Sequence, residues 1–527
     1  MDIGSSRLYL GSLIRELFVG CPLENMMKAN RPVNSRVLRD YYGATLATLD
    51  LKEAEEKGAP GFFRYGPDIV CYGKSASGTS SEVRLAGRYD AQSAVTGGNS
   101  GTYLPFDFPA VIENLRRERY VEQLYKGRKG FSRSPGLRKS YYAVRDKLPG
   151  NLRRHIQKAY FKGWKKIPFP NWPVDFTADS LHEEFLKLAM KVQGLTKFPF
   201  IWFWPEGASA CAILTHDVET VVARDFSSKL MDLDYAYGFR SSFQVVPEGR
   251  YLVPLGYWNE IRSRHFEFNI HDLSYNGYLF HNKREFERRA KLINGYARTY
   301  GARGFRAGGM YRNLDWYDSF EFSYDMSVPN VAHLERQRGG CCTVMPFFVR
   351  NILEIPLTTS QDHSVFNTLE QYSIELWKKQ ISVLLKRNGL ISFSTHPDYL
   401  IDLKPRGVYD SLLAYLRKIC DRHNVWHALP GELDRWWRAR NHMKIVNTGE
   451  GWKIEGPESH RARIAYANLD GDRLEYTVED SAAAEPDFPS QVQAGSLDAL
   501  KEPIESAPRE IVANFPLAAH MRARRFV

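Results

Sequence analysis

The chain has 527 residues, 43% apolar and 13% aromatic, enough for a sizeable core over about two to four domains. Its formal charge of +11 is compatible with an anionic partner: nucleic acid, anionic membrane or anionic polysaccharide. The six cysteines are sparse, form no CxxC and include the adjacent pair Cys341 and Cys342, which argues for reduced thiols and against a disulfide framework, and no apolar run reaches the roughly eighteen residues of a membrane span.

In chain order, residues 1–105 read as irregular, with GKSASGTSSE and AVTGGNSGTY as Gly/Ser/Thr-rich loops. The opening MDIGSSRLYLGSLIRELF has no basic segment leading into a long apolar core, so no secretory signal is expected and the cytoplasm is the default address. Residues 106–197 read as basic and mainly helical. Their charge is gathered between Asn114 and Lys166, in NLRRERY, YKGRKG, GNLRRH and GWKK. No nucleic-acid recognition motif accompanies it, so a solvated helical face is the favoured reading and nucleic acid is not expected. Interleaved aromatic residues leave an anionic glycan or a membrane surface open as partner. The three prolines of KIPFPNWPVDFT imply an extended linker packed on a neighbour, and a helix follows over Ser180–Gly194.

From Phe198 the pattern changes. Short apolar runs (CAILTHD, FRSSFQVV, EFNIHD, GFRAGG, FSYDMSV, ILEIPLT, LISFSTH and VWHALP) alternate with amphipathic segments such as KREFERRAKLINGYARTY and LEQYSIELWKKQISVLLKRN. Strands alternating with helices imply a parallel sheet. Seven or eight units over residues 198–442 suit a barrel better than a doubly wound sheet, since no Gly-rich phosphate turn follows any strand. Trp202 and Trp204 are expected to seal the barrel floor, and the tryptophans of WWRAR to pack in the core. Residues 443–480, with MKIVNT, GWKIEG, RIAYANL and RLEYTVE, read as a small β unit. Residues 481–527, rich in Ala, Pro, Ser and Glu, read as a disordered tail.

In a parallel barrel, functional groups sit at the C-terminal strand ends. Here those ends hold His216, Asp217 and Glu219; His271 and Asp272; Arg306; Asp325; and His396 with Asp398. Strand alternation puts Asp217 and Glu219 on one side, into the mouth, and turns His216 away. IPLTTSQDHSVF adds Gln361, Asp362 and His363 near the same rim.

These residues resemble the motifs of the polysaccharide deacetylase family, the NodB-homology carbohydrate esterases, over roughly Pro205 to Arg438. ILTHDVET is similar to the variant first motif, with Asp217 at the catalytic base and Glu219 at a metal-binding position. FNIHDLSYNGYLF supplies His271 to the His-x-x-x-His motif and puts Tyr275 at its second histidine. GFRAGGMYRN supplies Arg306, with Gly308 where proline is usual. SYDMSV offers Asp325 for the fourth motif, and ISFSTHPDYL offers His396 for the fifth.

The resemblance implies a distorted (β/α)7–8 barrel and a metal-dependent hydrolase that removes an N-acyl group, acetyl above all, from an amino sugar of a polysaccharide or its precursor. Asp217, Arg306, Asp325 and His396 would be catalytic. Glu219, His271 and Tyr275 would hold a divalent metal, zinc first. Asp362 and Asp398 are expected to meet the N-acetylated glycan. The chemistry calls for these types: a divalent cation polarises the acyl oxygen and acidifies water, Asp217 accepts a proton, Arg306 keeps Asp217 ionised, and a protonated His396 suits the departing amine. A neutral phenol at Tyr275 is a weak ligand. His281 is a substitute if its loop folds back, with solvent exposure as the plainer reading. The alternative is a degenerate relative that binds carbohydrate or scaffolds exopolysaccharide assembly without turnover.

Overall fold

The computed structural model describes residues 36–44, 51–53, 58–85, 89–98, 101–126 and 150–479. Within it, CAILTHD lies in strand β1, Ala210–Val218, all nine of whose residues are buried. A parallel strand covered on both faces needs such a run, because neither face meets water. Its inner-face residues Cys211 and Ile213 join one apolar cluster, and its outer-face residues Ala210, Ala212, Leu214 and Val218 join another, packed under helices.

The remaining barrel strands are β2 (Ser242–Val245), β3 (Glu267–His271), β4 (Gly304–Arg306), β5 (Tyr324–Asp325), β6 (Phe347–Val349), β7 (Ile352–Glu354), β8 (Leu390–Thr395) and β9 (Val425–His427). Their order is β6-β7-β5-β4-β3-β2-β1-β8, with β9 added on β1. Every pairing is parallel except β6 with β7. Past β7 the chain approaches the far edge of β8: the Thr358 N–H donates to Ser392 Oγ at 2.8 Å and the Thr359 N–H to Ser392 O at 3.3 Å. The sheet thus curls almost closed, giving the distorted α/β barrel expected from the alternation of runs.

Local signals place the strand ends. Thr220 follows Glu219 directly and caps helix Val221–Ala236 by accepting the Ala223 N–H at 3.1 Å, so the chain turns away one residue after Glu219. Asn282 caps helix Lys283–Tyr300, which ends on Gly301 at φ +60°, a left-handed stop that favours glycine. Helices Glu375–Lys386 and Leu403–His423 also bury apolar faces on the outer cluster.

The inner cluster continues out of the barrel into the residues before it. There, helix Thr177–Val192 packs with helices Arg36–Tyr42 and Phe108–Arg116 and a hairpin of Gly61–Tyr65 with Ile69–Gly73. AVTGGNSGTY contributes strands Thr96–Gly98 and Gly101–Leu104 rather than a loop alone; pairing with one another and with Leu51–Glu53 outweighs their weak strand composition. The Pro-rich linker packs on the barrel through Asp175, whose N–H donates to Asn330 Oδ1 at 2.8 Å. Lys197–Ile201 pairs antiparallel with Ile464–Asp470, so the strand that opens the apolar run at Phe198 shares a sheet with the C-terminal strands. Trp204 lies 5.5 Å from Trp437, and the Trp436 indole donates to Phe203 O.

Part of the basic stretch, 127–149, and the Ala/Pro-rich tail lie outside the described residues. Where the stretch is described, Arg117 pairs with Asp315 at 3.0 Å and Lys158 pairs with Glu370. Cys71, Cys211, Cys341, Cys342 and Cys420 are buried free thiols. Among the described residues no helix is long and apolar enough to cross a membrane.

Candidate active site

Register brings the polar strand ends to one level. Arg306 on β4 pairs with His271 on β3, and Thr395 on β8 pairs with His216 on β1, which sets His396 beside Asp217. Alternation then sorts the faces. Thr215, Asp217 and Glu219 turn inward. His216 turns outward, where its ring bonds Thr395 Oγ1 at 2.7 Å and Asp234 Oδ2 at 2.9 Å.

Asp217 and Arg306 form a buried ion pair. Arg306 Nη1 donates to Asp217 Oδ1 at 2.7 Å, to Thr215 Oγ1 at 2.7 Å and to Ser394 Oγ at 3.2 Å, while Nε donates to Met326 O at 3.0 Å. Ser394 Oγ also donates to Asp217 Oδ2 at 3.2 Å. Burial works to raise the Asp217 pKa, but Arg306, His271 and His396 outweigh it, and the carboxyl is held below its ordinary value.

His396 is braced from behind. Its Nδ1–H donates to Asp362 Oδ1 at 2.7 Å, and its backbone N–H to Asp362 Oδ2 at 2.7 Å. Its Nε2 lies 3.5 Å from Glu219 Oε1. Burial opposes charge on the ring, yet Asp362 and Glu219 prevail and lift its pKa well above the usual histidine value. His271 stands across the mouth. Its Nδ1–H donates to Arg306 O at 3.0 Å, and its buried Nε2, without a hydrogen-bond partner, lies 3.7 Å from Glu219 Oε1. Here too burial opposes protonation, and Asp217 and Glu219 raise the pKa despite it. Two carboxylates facing one buried nitrogen favour a positive charge there.

Tyr275 reaches the same place by a turn in which Asp272 and Tyr275 have φ of +59° and +51°. Its ring centroid is 5.1 Å from that of His271, and Arg250 lies over it at 5.7 Å. Asp398, half-buried, has an Oδ1 without a hydrogen-bond partner and a pKa pushed up to about 6 by burial. His281 is exposed, with its ring 6.0 Å from that of Tyr278.

Two expected residues sit differently. Asp325 is level with Phe305 and Glu354, on the outer face, whereas Tyr324 and Met326 face inward with Cys211 and Ile213. Its carboxylate accepts from Tyr317 Oη at 2.8 Å and Ser327 Oγ at 2.7 Å; strand alternation keeps it out of the mouth. Asp362, expected to meet substrate, is 0% exposed, and it accepts the His363 N–H as well as both His396 bonds. The brace of His396 is thus Asp362, and no strand-end pattern marks it, because it comes from the loop after β7. Thr215 and Ser394 each lie two residues before Asp217 or His396, a spacing that places them on the same face. Arg250, whose Nε donates to Glu219 O at 3.2 Å, carries no sequence signal.

No protein-family profile matches the chain, and no curated protein is similar to it. Solved structures are similar. A protein from Mycobacterium smegmatis, provisionally assigned as a polysaccharide deacetylase, is 14% identical over 47% of this chain and 96% of its own, with a TM-score of 0.36. The PuuE allantoinase is 13% identical over 45% of this chain and 92% of its own, with a TM-score of 0.35. BA3943 from Bacillus anthracis, a CE4 family pseudoenzyme, is 11% identical over 44% and 66%, with a TM-score of 0.27. At such identities and TM-scores these likenesses are silent on activity.

The donor chemistry of the mouth fits a divalent cation. His271 offers a lone pair on Nε2, its other nitrogen being held by a backbone carbonyl as in metal-ligating histidines. Glu219 offers a carboxylate beside it. Among the described residues, Asp362, His363 and His396 have donor atoms within 4.8 Å of one another, but Asp362 is already committed to three N–H groups.

Proposed function

We propose that the chain is a hydrolase that removes an N-acyl group, acetyl above all, from an amino sugar of a polysaccharide or its precursor. The observation that carries the reading is the buried Asp217–Arg306 pair facing a braced His396 in one barrel mouth. A carboxylate held ionised and an imidazole held protonated at one opening suit proton transfer.

Asp217 would accept a proton from the attacking water, since Arg306 keeps it ionised and fixes its orientation. Thr215, Ser394 and Met326 O hold Arg306, so the base does not swing as charge shifts. His396 would hand the proton on Nε2 to the departing amine, while Asp362 stabilises the ring through Nδ1. Glu219 and His271 would hold a divalent cation, with Tyr275 as the third donor on the same turn. When bound, such a cation polarises an acyl carbonyl and lowers the pKa of water. Asp398 and Arg250 would meet the sugar at the rim.

A second reading, a carbohydrate-binding relative without turnover, rests on Tyr275 at the place of a second imidazole ligand. Acetate release from tetra-N-acetylchitotetraose, with metal content measured on the same sample, separates the two. Turnover that falls on the order of 10²-fold or more in Asp217→Asn is expected. Equal release by wild type and variant removes Asp217 as base. No release by metal-loaded wild type removes the hydrolase reading.

A further inference from the structure

Beside the barrel mouth, the Pro-rich linker and two barrel loops enclose a groove of about 520 Å³ that the chemistry above does not use. Trp164 and Trp172 meet edge to face at 4.8 Å, and Trp172 stacks on His333, with centroids 6.0 Å apart and planes 18° apart. His333 is 2% exposed, bonds the Pro170 carbonyl through one ring nitrogen, and leaves Nε2 buried without a partner. Lys165, Asn171 and Gln371 complete the polar part of the lining.

We propose that this groove is a sugar-binding subsite that takes one pyranose ring of the glycan held at the barrel mouth. A pyranose has an apolar C–H face and a rim of hydroxyl groups. Aromatic rings suit the face, and an amide pair and an ammonium suit the rim. The volume lies within the roughly 300–1,000 Å³ of small-molecule sites.

Covalent and hydrogen-bonded neighbours link the lining of the groove to the Asp362 brace behind His396. His333 is two residues from Glu335, which accepts a hydrogen bond from Gln361 Nε2 at 2.7 Å. Gln361 adjoins Asp362, and the groove residues Leu369 and Gln371 follow on the same loop. The inference rests on the glycan reading for its substrate, but its test is one of binding.

The full chain is titrated with tetra-N-acetylchitotetraose, read by tryptophan fluorescence and calorimetry, and acetate release is followed on the same preparations. Saturable binding is expected, weakened about tenfold or more in Trp164→Ala, the size of a lost aromatic contact. Asn171→Ala, at an exposed position, is expected to weaken it several-fold and serves where Trp164→Ala disturbs the melting curve. Absence of tetramer binding, or equal affinity in wild type and both variants, overturns the subsite. Acetate release together with that equal affinity overturns the subsite alone. Binding that depends on Trp164 without acetate release supports the subsite and overturns the hydrolase reading.

Discussion

Tyr275 and Gly308 occupy complementary space: a Cβ at residue 308 would stand 2.8 Å from Tyr275 Cδ2 and 2.5 Å from Asp272 Oδ2. A tyrosine at position 275 and a glycine at position 308 are thus one packing solution. Gly308→Ala is expected to cost about 1–3 kcal/mol, the usual penalty of overpacking, read as a lower urea midpoint. An unchanged midpoint would show that the Tyr275 turn yields freely.

Arg306 and Asp217 are both almost fully buried. Removing one partner leaves a charge without compensation, so Arg306→Met is expected to lose about 3–5 kcal/mol. Adding Asp217→Asn should recover much of that loss while activity stays absent. Denaturant unfolding of the single and double variants checks this, and strict additivity would contradict the pairing.

Asp362 orients His396 without reaching the mouth. Asp362→Ala is expected to lower kcat on the order of 10²-fold with KM little changed, because the ring loses its brace and its favoured protonation state. Steady-state kinetics beside a melting curve decides: a fall in KM-dependent terms alone would assign Asp362 to binding.

Glu335 supplies a pH test away from the Asp217–Arg306 pair. Burial pushes its carboxyl up from 4.5 to about 7. A raised carboxyl pKa means the fold prefers the protonated form. Its contribution is therefore fully present below pH 4.5 and is lost as pH rises through about 7, by up to about 3 kcal/mol. Glu335→Gln should flatten stability across that window and exceed wild type above it. Melting curves from pH 4 to 8 give the comparison, and parallel curves would refute it.

Periodicity alone identified the eight runs from CAILTHD to VWHALP as strands, because a buried parallel strand has to be apolar on both faces. It also split THDVET correctly between mouth and outer face, since alternation is a property of the strand itself. The number of units, and the lack of a Gly-rich phosphate turn after any strand, favoured a barrel over a doubly wound sheet. Tertiary structure decided what no local pattern encodes. Asp325 ends a strand yet faces outward, and Asp362, from a loop, braces His396. Lys197–Ile201 pairs with Ile464–Asp470, far along the chain. Such contacts depend on how the sheet curls and where loops return, and closure in space leaves no mark in the spacing of residues.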